Sequence, residues 1–261
     1  MNRRYETEAK IEEKITELIK TFDECIDFFE RDFAKRWNEK LYYSTEITER
    51  VREAQSKEKY SDLICDTSFL RQVYDCVKSW MGRAGPKMVE FENFSKQVLA
   101  IKTGIVDLSN YRWICSLKQN EWNDIRQKIG RCLIYEILPP DKSAPLKIFK
   151  LRPMKGKGES QLGSQLVCLS KVLYHLLPDL IPPIDREHTL SFFNWKSWQP
   201  FREPDMFLYI LDKFWEIYTR AKFAEENWQR WGVSIPKAID NAIIGFEIKR
   251  KGSSIQEVVK T

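Results

Sequence analysis

Apolar side chains along this chain recur at steps of three and four, the spacing that gathers them on one face of an α-helix. The first stripe, Ile11, Ile15, Leu18, Phe22, Cys25, Phe29 and Phe33, predicts one long helix from about Glu8 to Trp37. Ser44, with Glu46 and Glu49 after it, predicts a second helix start. Asp66-Thr67 predicts an N-cap for a stripe of Phe69, Leu70, Val73, Tyr74, Val77 and Trp80, which Met81-Gly82-Arg83-Ala84-Gly85-Pro86 then ends. Val89, Phe91, Phe94, Val98 and Ile101 predict another helix, and Asn120 caps one carrying Trp122, Ile125, Ile129, Leu133 and Tyr135. Leu138-Pro139-Pro140-Asp141 breaks the pattern, and no periodicity returns before Gly158.

Beyond that break, a compact helix from about Ser160 to Leu177 is stopped by Pro178, and Asp185 behind Pro182-Pro183 is placed at the N-cap of the next. Glu203-Pro204 opens a helix with Met206, Phe207, Ile210, Leu211, Phe214, Trp215 and Tyr218. Ser234 with Pro236 opens the last, with Ile239, Ile243, Ile244 and Phe246. Alternating β-branched runs and hairpin signals are nearly absent. The expectation is an all-α protein of two helical lobes, residues 1–140 and 159–261, flanking a basic loop at 141–158.

Charge and cysteine content narrow the class. The chain carries 43 Lys and Arg against 38 Asp and Glu, a net charge of +5, which is mildly basic. The first residues run into a charged helical pattern with no signal-peptide core, and no stretch reaches the roughly eighteen apolar residues of a membrane span. Six cysteines lie far apart with only His175 and His188 to join them, so neither zinc nor disulfides are expected, and a reducing cytoplasm is. No cofactor is implied either, because the chain lacks a phosphate-binding P-loop, a strand-borne G-x-G-x-x-G and a G-x-S-x-G elbow. No arginine precedes either histidine at the spacing of helical ribonucleases. Glu247-Ile248-Lys249 has the Glu-x-Lys form of restriction-type nucleases, but on a helix and without a neighbouring strand.

Positive charge concentrates between Lys142 and Lys157, where Lys142, Lys147, Lys150, Arg152, Lys155 and Lys157 occur without an acidic residue. This segment delivers the chain into Gly158-Glu159-Ser160-Gln161-Leu162-Gly163-Ser164-Gln165, the opening of a helix whose first amides suit an anion. Lysines, glycines and a helix start in that order suit contacts to nucleic-acid phosphates. A solvated loop is the bland alternative.

From Ser170-Lys171 through His175 and Pro178 to Pro182-Pro183-Ile184-Asp185-Arg186, the chain resembles the helix-hairpin-helix DNA glycosylases. The resemblance covers about residues 156–193 and extends to a set of uncharacterised microbial proteins grouped near that family. In the family a Gly-containing hairpin grips the DNA backbone, and a Pro-rich turn leads to an aspartate at a helix start. Pro183-Ile184-Asp185 looks like that turn, which would make Asp185 the catalytic carboxylate. Lys150, Arg152, Lys155, Lys157, Gly163, Ser164, Gln165 and Arg186 would then contact DNA. The chain lacks the hairpin's usual glycine triplet, and the position of the lyase-type lysine falls near Gln165, so the resemblance implies a monofunctional enzyme that uses water in place of an amine nucleophile.

Breaking an N-glycosidic bond develops positive charge on the sugar, which a carboxylate stabilises, and a flipped base is gripped by aromatic faces. Trp80, Phe192, Trp195 and Trp198 are the candidate base pocket. Damaged bases and the modified bases of an invading virus both fall within this expectation, with the protein a monomer and DNA its partner. Plainer roles stand beside each residue. Asp185 as a helix cap alone is worth about 1 kcal/mol. His175 reads as a satisfied core histidine, Arg186 as a partner of Glu187 or Glu203, and most of the rings as core. Lys171 reads as a snorkelling side chain or, within reach of Asp185, as a Schiff-base nucleophile. A non-catalytic helical module binding DNA or protein is the alternative function.

Overall fold

The structure, a computed structural model, describes residues 3–34, 38–81, 88–113, 117–137, 165–194, 203–222, 231 and 233–258. All regular structure among them is helical, as the apolar spacing predicts. In chain order the helices are α1 (Arg3–Lys20), α2 (Phe22–Phe28), α3 (Asn38–Ser56), α4 (Tyr60–Cys65), α5 (Thr67–Trp80), α6 (Phe91–Ala100) and α7 (Lys102–Leu108). They continue with α8 (Gln119–Ile129), α9 (Tyr135–Ile137), α10 (Leu166–Leu176), α11 (Thr189–Phe192), α12 (Glu203–Ala221) and α13 (Ile235–Val258). Wider π-helical turns follow α2 at Phe29–Phe33 and join α8 to α9 at Gly130–Ile134.

The local signals act as expected at several ends. Asp66 Oδ1 accepts the Ser68 amide at 2.8 Å and caps α5, whose stripe Phe69, Leu70, Val73, Tyr74 and Val77 is buried. α12 opens at Glu203, and α13 begins directly after Ser234. Elsewhere the structure corrects the reading. The first stripe is divided between α1 and α2 with Thr21 at the break, its amide shared between the Glu17 and Leu18 carbonyls at 3.2 Å and its hydroxyl also donating to the Glu17 carbonyl at 3.0 Å. Ser44 lies inside α3, where its carbonyl accepts the Thr48 hydroxyl at 3.0 Å. α8 starts at Gln119 without an Asn120 cap, the Glu121 carboxylate accepting the Lys118 amide at 2.7 Å instead.

One continuous hydrophobic core runs from Ile11 on α1 to Phe246 on α13. Its central rod is α10, buried on every side from Cys168 to Leu176, as a helix apolar all round must be. α5 and α3 pack against α10, while α2, α11 and α12 pack against α13. Gly245 permits the closest of these approaches, since a Cβ there would lie 1.9 Å from the Cys25 carbonyl oxygen. After α10, Arg52 holds the turn at Pro178 by donating to both carboxylate oxygens of Asp179, at 2.5 and 3.1 Å. The chain then returns along α10, so that Ile184 lies against Ser170 and Asp185 follows.

Candidate functional site

Two polar residues in the middle of the apolar α10 organise the site. The Ser170 hydroxyl, fully buried, accepts the Ile184 amide at 3.0 Å and so ties the extended segment to the helix one residue before Asp185. The neighbouring Lys171 directs its Nζ to 3.9 Å from Asp185 Oδ2. That ammonium also donates to the Trp80 carbonyl at 3.5 Å and lies 5.9 Å from the Trp80 ring centroid. The Lys171 side chain is 10% exposed, whereas that of Asp185 is 31% exposed. Solvent therefore meets the carboxylate, with the amine beneath it.

Asp185 is held on four sides. Its Oδ1 accepts the amides of Glu187 and His188 at 2.8 and 2.9 Å, its own amide donates to Thr189 Oγ1 at 3.1 Å, and its carbonyl accepts the Leu190 amide. The capping role predicted for Asp185 is thus present, but it caps the turn at residues 186–188, one turn before α11 begins at Thr189. Among the described residues Oδ2 accepts no hydrogen bond, and a 3.9 Å separation from Lys171 is an ion pair rather than a hydrogen bond.

The last helix supplies a second amine–carboxylate pair. Lys237 Nζ donates to Asp240 Oδ2 at 2.7 Å, and Asp240 Oδ1 accepts the Thr189 hydroxyl at 3.0 Å. Lys237 sits 5.7 Å from the Trp80 ring centroid, so two ammonium groups approach the same indole. Burial pushes the Lys171 amine below the usual lysine range, while Asp185 and Asp240 hold it up. Burial likewise raises the Asp240 carboxyl, against the pull of Lys237.

His175 lies beneath this cluster and is fully buried. Its Nδ1 bonds the Lys171 carbonyl at 2.7 Å and its Nε2 lies 3.4 Å from Cys76 Sγ. A carbonyl only accepts, so Nδ1 carries the proton and the thiol donates to Nε2. Burial pushes the imidazole down to about 4 and the Cys76 thiol up to about 12, which keeps both neutral. His175 is the satisfied core histidine the sequence suggested, with no access to a substrate.

Of the residues singled out from sequence, Lys171, Asp185 and Trp80 converge, and Arg186 stands exposed beside Asp185. Phe192 does not join them. Its ring is fully buried against Phe193 and Phe246, at 5.0 and 5.5 Å, where the α11 stripe meets α13. Gln165 is also buried, and its amide donates to the Glu203 carboxylate at 3.0 and 3.2 Å, so that helix start already holds an anion. Glu247 and Lys249 diverge: Glu247 pairs with Lys14 at 3.0 Å inside the protein and Lys249 with Glu24 at 2.7 Å outside, so no Glu-x-Lys centre forms. Lys150, Arg152, Lys155, Lys157, Gly163, Ser164, Trp195 and Trp198 lie outside the described residues.

Ser170, Thr189, Lys237 and Asp240 escaped the sequence reading. Ser170 and Asp240 nevertheless carried a signal, as polar residues set in the runs Leu166–Leu177 and Ala238–Phe246 that are otherwise almost wholly apolar, whereas Thr189 in its polar surroundings carried none. Among the described residues no helix is long and apolar enough to cross a membrane, and no group of three or more His, Cys, Asp and Glu is placed to hold a metal ion. No protein-family model, curated protein or solved structure matches the chain.

Proposed function

We propose that this chain is a DNA glycosylase that removes a flipped damaged or modified base, with Asp185 as the carboxylate facing the deoxyribose. The observation carrying this reading is a partly exposed carboxylate with one oxygen locked by two backbone amides and the other left facing a buried amine. Such a group is already oriented and needs no rearrangement when positive charge develops on the sugar. The Trp80 indole, 5.9 Å from the Lys171 amine beneath the carboxylate, offers an aromatic edge to an extruded base. Water adds at C1′ as the base departs, and the base takes up the proton that the water gives up. DNA is the partner, the protein acts as a monomer in the cytoplasm, and no cofactor takes part.

A second reading rests on the 3.9 Å approach of Lys171 to Asp185 and on an amine that burial makes less basic. In it the neutral amine attacks C1′, the base leaves, and the resulting Schiff base permits strand cleavage. One experiment separates the readings. Purified protein is incubated with duplexes bearing a panel of damaged and modified bases, and abasic sites are revealed by hot alkali. Asp185→Asn is expected to lower base release by roughly 10²-fold or more. Borohydride traps a covalent complex only if Lys171 is the nucleophile, and Lys171→Met abolishes the trap. DNA binding without base release from any duplex would instead establish a non-catalytic helical module, and base release by Asp185→Asn at the wild-type rate would remove Asp185 from the chemistry.

A further inference from the structure

The segment carrying Asp185 is gripped at both ends by one face of α13. Asp240 and Glu247 stand seven positions apart, two helical turns, and so point the same way. At the far end Lys14 donates to the Ser191 and Phe192 carbonyls at 3.3 and 3.1 Å and to Glu247 at 3.0 Å, holding the carbonyls that close α11. That grip touches backbone beyond Asp185. The near grip reaches Asp185 itself through a chain whose direction is fixed: the Asp185 amide can only donate, so Thr189 Oγ1 accepts from it and spends its single proton on Asp240 Oδ1. Asp240 must then be an acceptor, a state that the Lys237 ammonium on its other oxygen favours.

We infer that Asp240, held by Lys237, is a positioning residue that sets the orientation of Asp185 through the Thr189 hydroxyl. This inference rests on the glycosylase reading for its functional meaning, but its geometry is testable without it. The relay leaves Asp185 Oδ1 to the amides of Glu187 and His188, and it fixes the peptide from which Oδ2 is aimed past Lys171. Thr189 and Asp240 are both buried, so neither touches a substrate.

The test uses the near-isosteric Thr189→Val, the conservative Thr189→Ser, and Ser191→Ala as a control on the far grip, where the Ser191 hydroxyl donates to Glu247 at 3.4 Å. Hydrogen exchange at the Asp185 amide, read by NMR, is expected to quicken about tenfold in Thr189→Val and to stay at the wild-type rate in Thr189→Ser and Ser191→Ala. On a duplex that wild type cleaves, Thr189→Val lowers kcat by roughly 10- to 100-fold with KM unchanged, and Thr189→Ser restores it. The double variant Lys237→Met/Asp240→Leu reproduces the kcat loss, and adding Thr189→Val to it costs nothing more. Unchanged Asp185 exchange in Thr189→Val, or failure of Thr189→Ser to restore it, overturns the relay. If wild type releases no base from any duplex, the glycosylase reading falls, and the exchange measurement still decides whether the relay exists.

Discussion

Two tryptophan-centred regions of this molecule bury aromatic surface in opposite ways. In the first, Trp122 on α8 stacks on Trp215 of α12 at 4.9 Å, and Trp113 meets both rings edge-on at 5.2 and 5.9 Å. Its Trp215 indole N–H donates to Gln119 Oε1 at 2.8 Å. In the second, Trp80 has two lysine ammonium groups near its ring, His175 edge-on at 5.0 Å, and the carboxylates of Asp185 and Asp240 behind those lysines. The first arrangement gains from ring contacts and burial of apolar area. The second removes four charges wholly or partly from water, which apolar side chains of the same size would do at no such cost. A costly cluster beside a partly exposed carboxylate is where strain-bearing, function-bearing residues are expected.

The largest effect separating the regions is expected for Trp122→Ala, which opens a cavity against two rings and should cost about 4–5 kcal/mol in denaturant unfolding. An equal loss from a Trp80→Ala variant would erase the contrast, because the partly buried Trp80 leaves a site that water enters. Next, Lys237→Met strands the Asp240 carboxylate and is expected to cost about 3–4 kcal/mol, while Lys237→Met/Asp240→Leu recovers most of it. A double variant no more stable than the single would show that the pair is itself stabilising.

The third effect follows pH. His175 is neutral in the fold, with its proton affinity pushed down to about 4 from an ordinary 6.5, so the unfolded chain binds the extra proton first as pH falls. The stability it contributes is complete above about 6.5 and is lost as pH falls toward about 4, by about 3 kcal/mol. Urea unfolding of wild type and His175→Asn at pH 7 and pH 4 checks this, the variant being expected to lose that much less across the interval. The smallest effect belongs to the ring cluster: Gln119→Ala leaves the buried Trp215 N–H without its acceptor and is expected to lower stability by about 1 kcal/mol.

Helices were legible wherever a stripe coincided with a local cap, as at Asp66 before α5 and at Pro204 and Pro236. Boundaries failed where an apolar stripe continued through a break in the helix, as at Thr21 between α1 and α2, or where helix propensity ran through a residue that looked like a cap, as at Ser44. Of the candidate site, Asp185, Lys171 and Trp80 stood out as a carboxylate after a double proline, a charge in an apolar helix and a ring before a glycine-rich turn. Phe192 failed because an aromatic residue near a catalytic candidate and an aromatic residue of the core look the same in one dimension.

Helical class, the buried character of α10 and the turn before Asp185 are written locally, because the 3.6-residue period, proline's missing amide and a capping carboxylate act over a few neighbouring positions. Which amine meets which carboxylate was decided only by tertiary packing. Thr189 and Asp240 stand 51 positions apart and meet because α11 docks on α13, just as Trp80 reaches Lys171 because α5 packs on α10. No local rule sets those distances, since they follow from how rigid helices share one core.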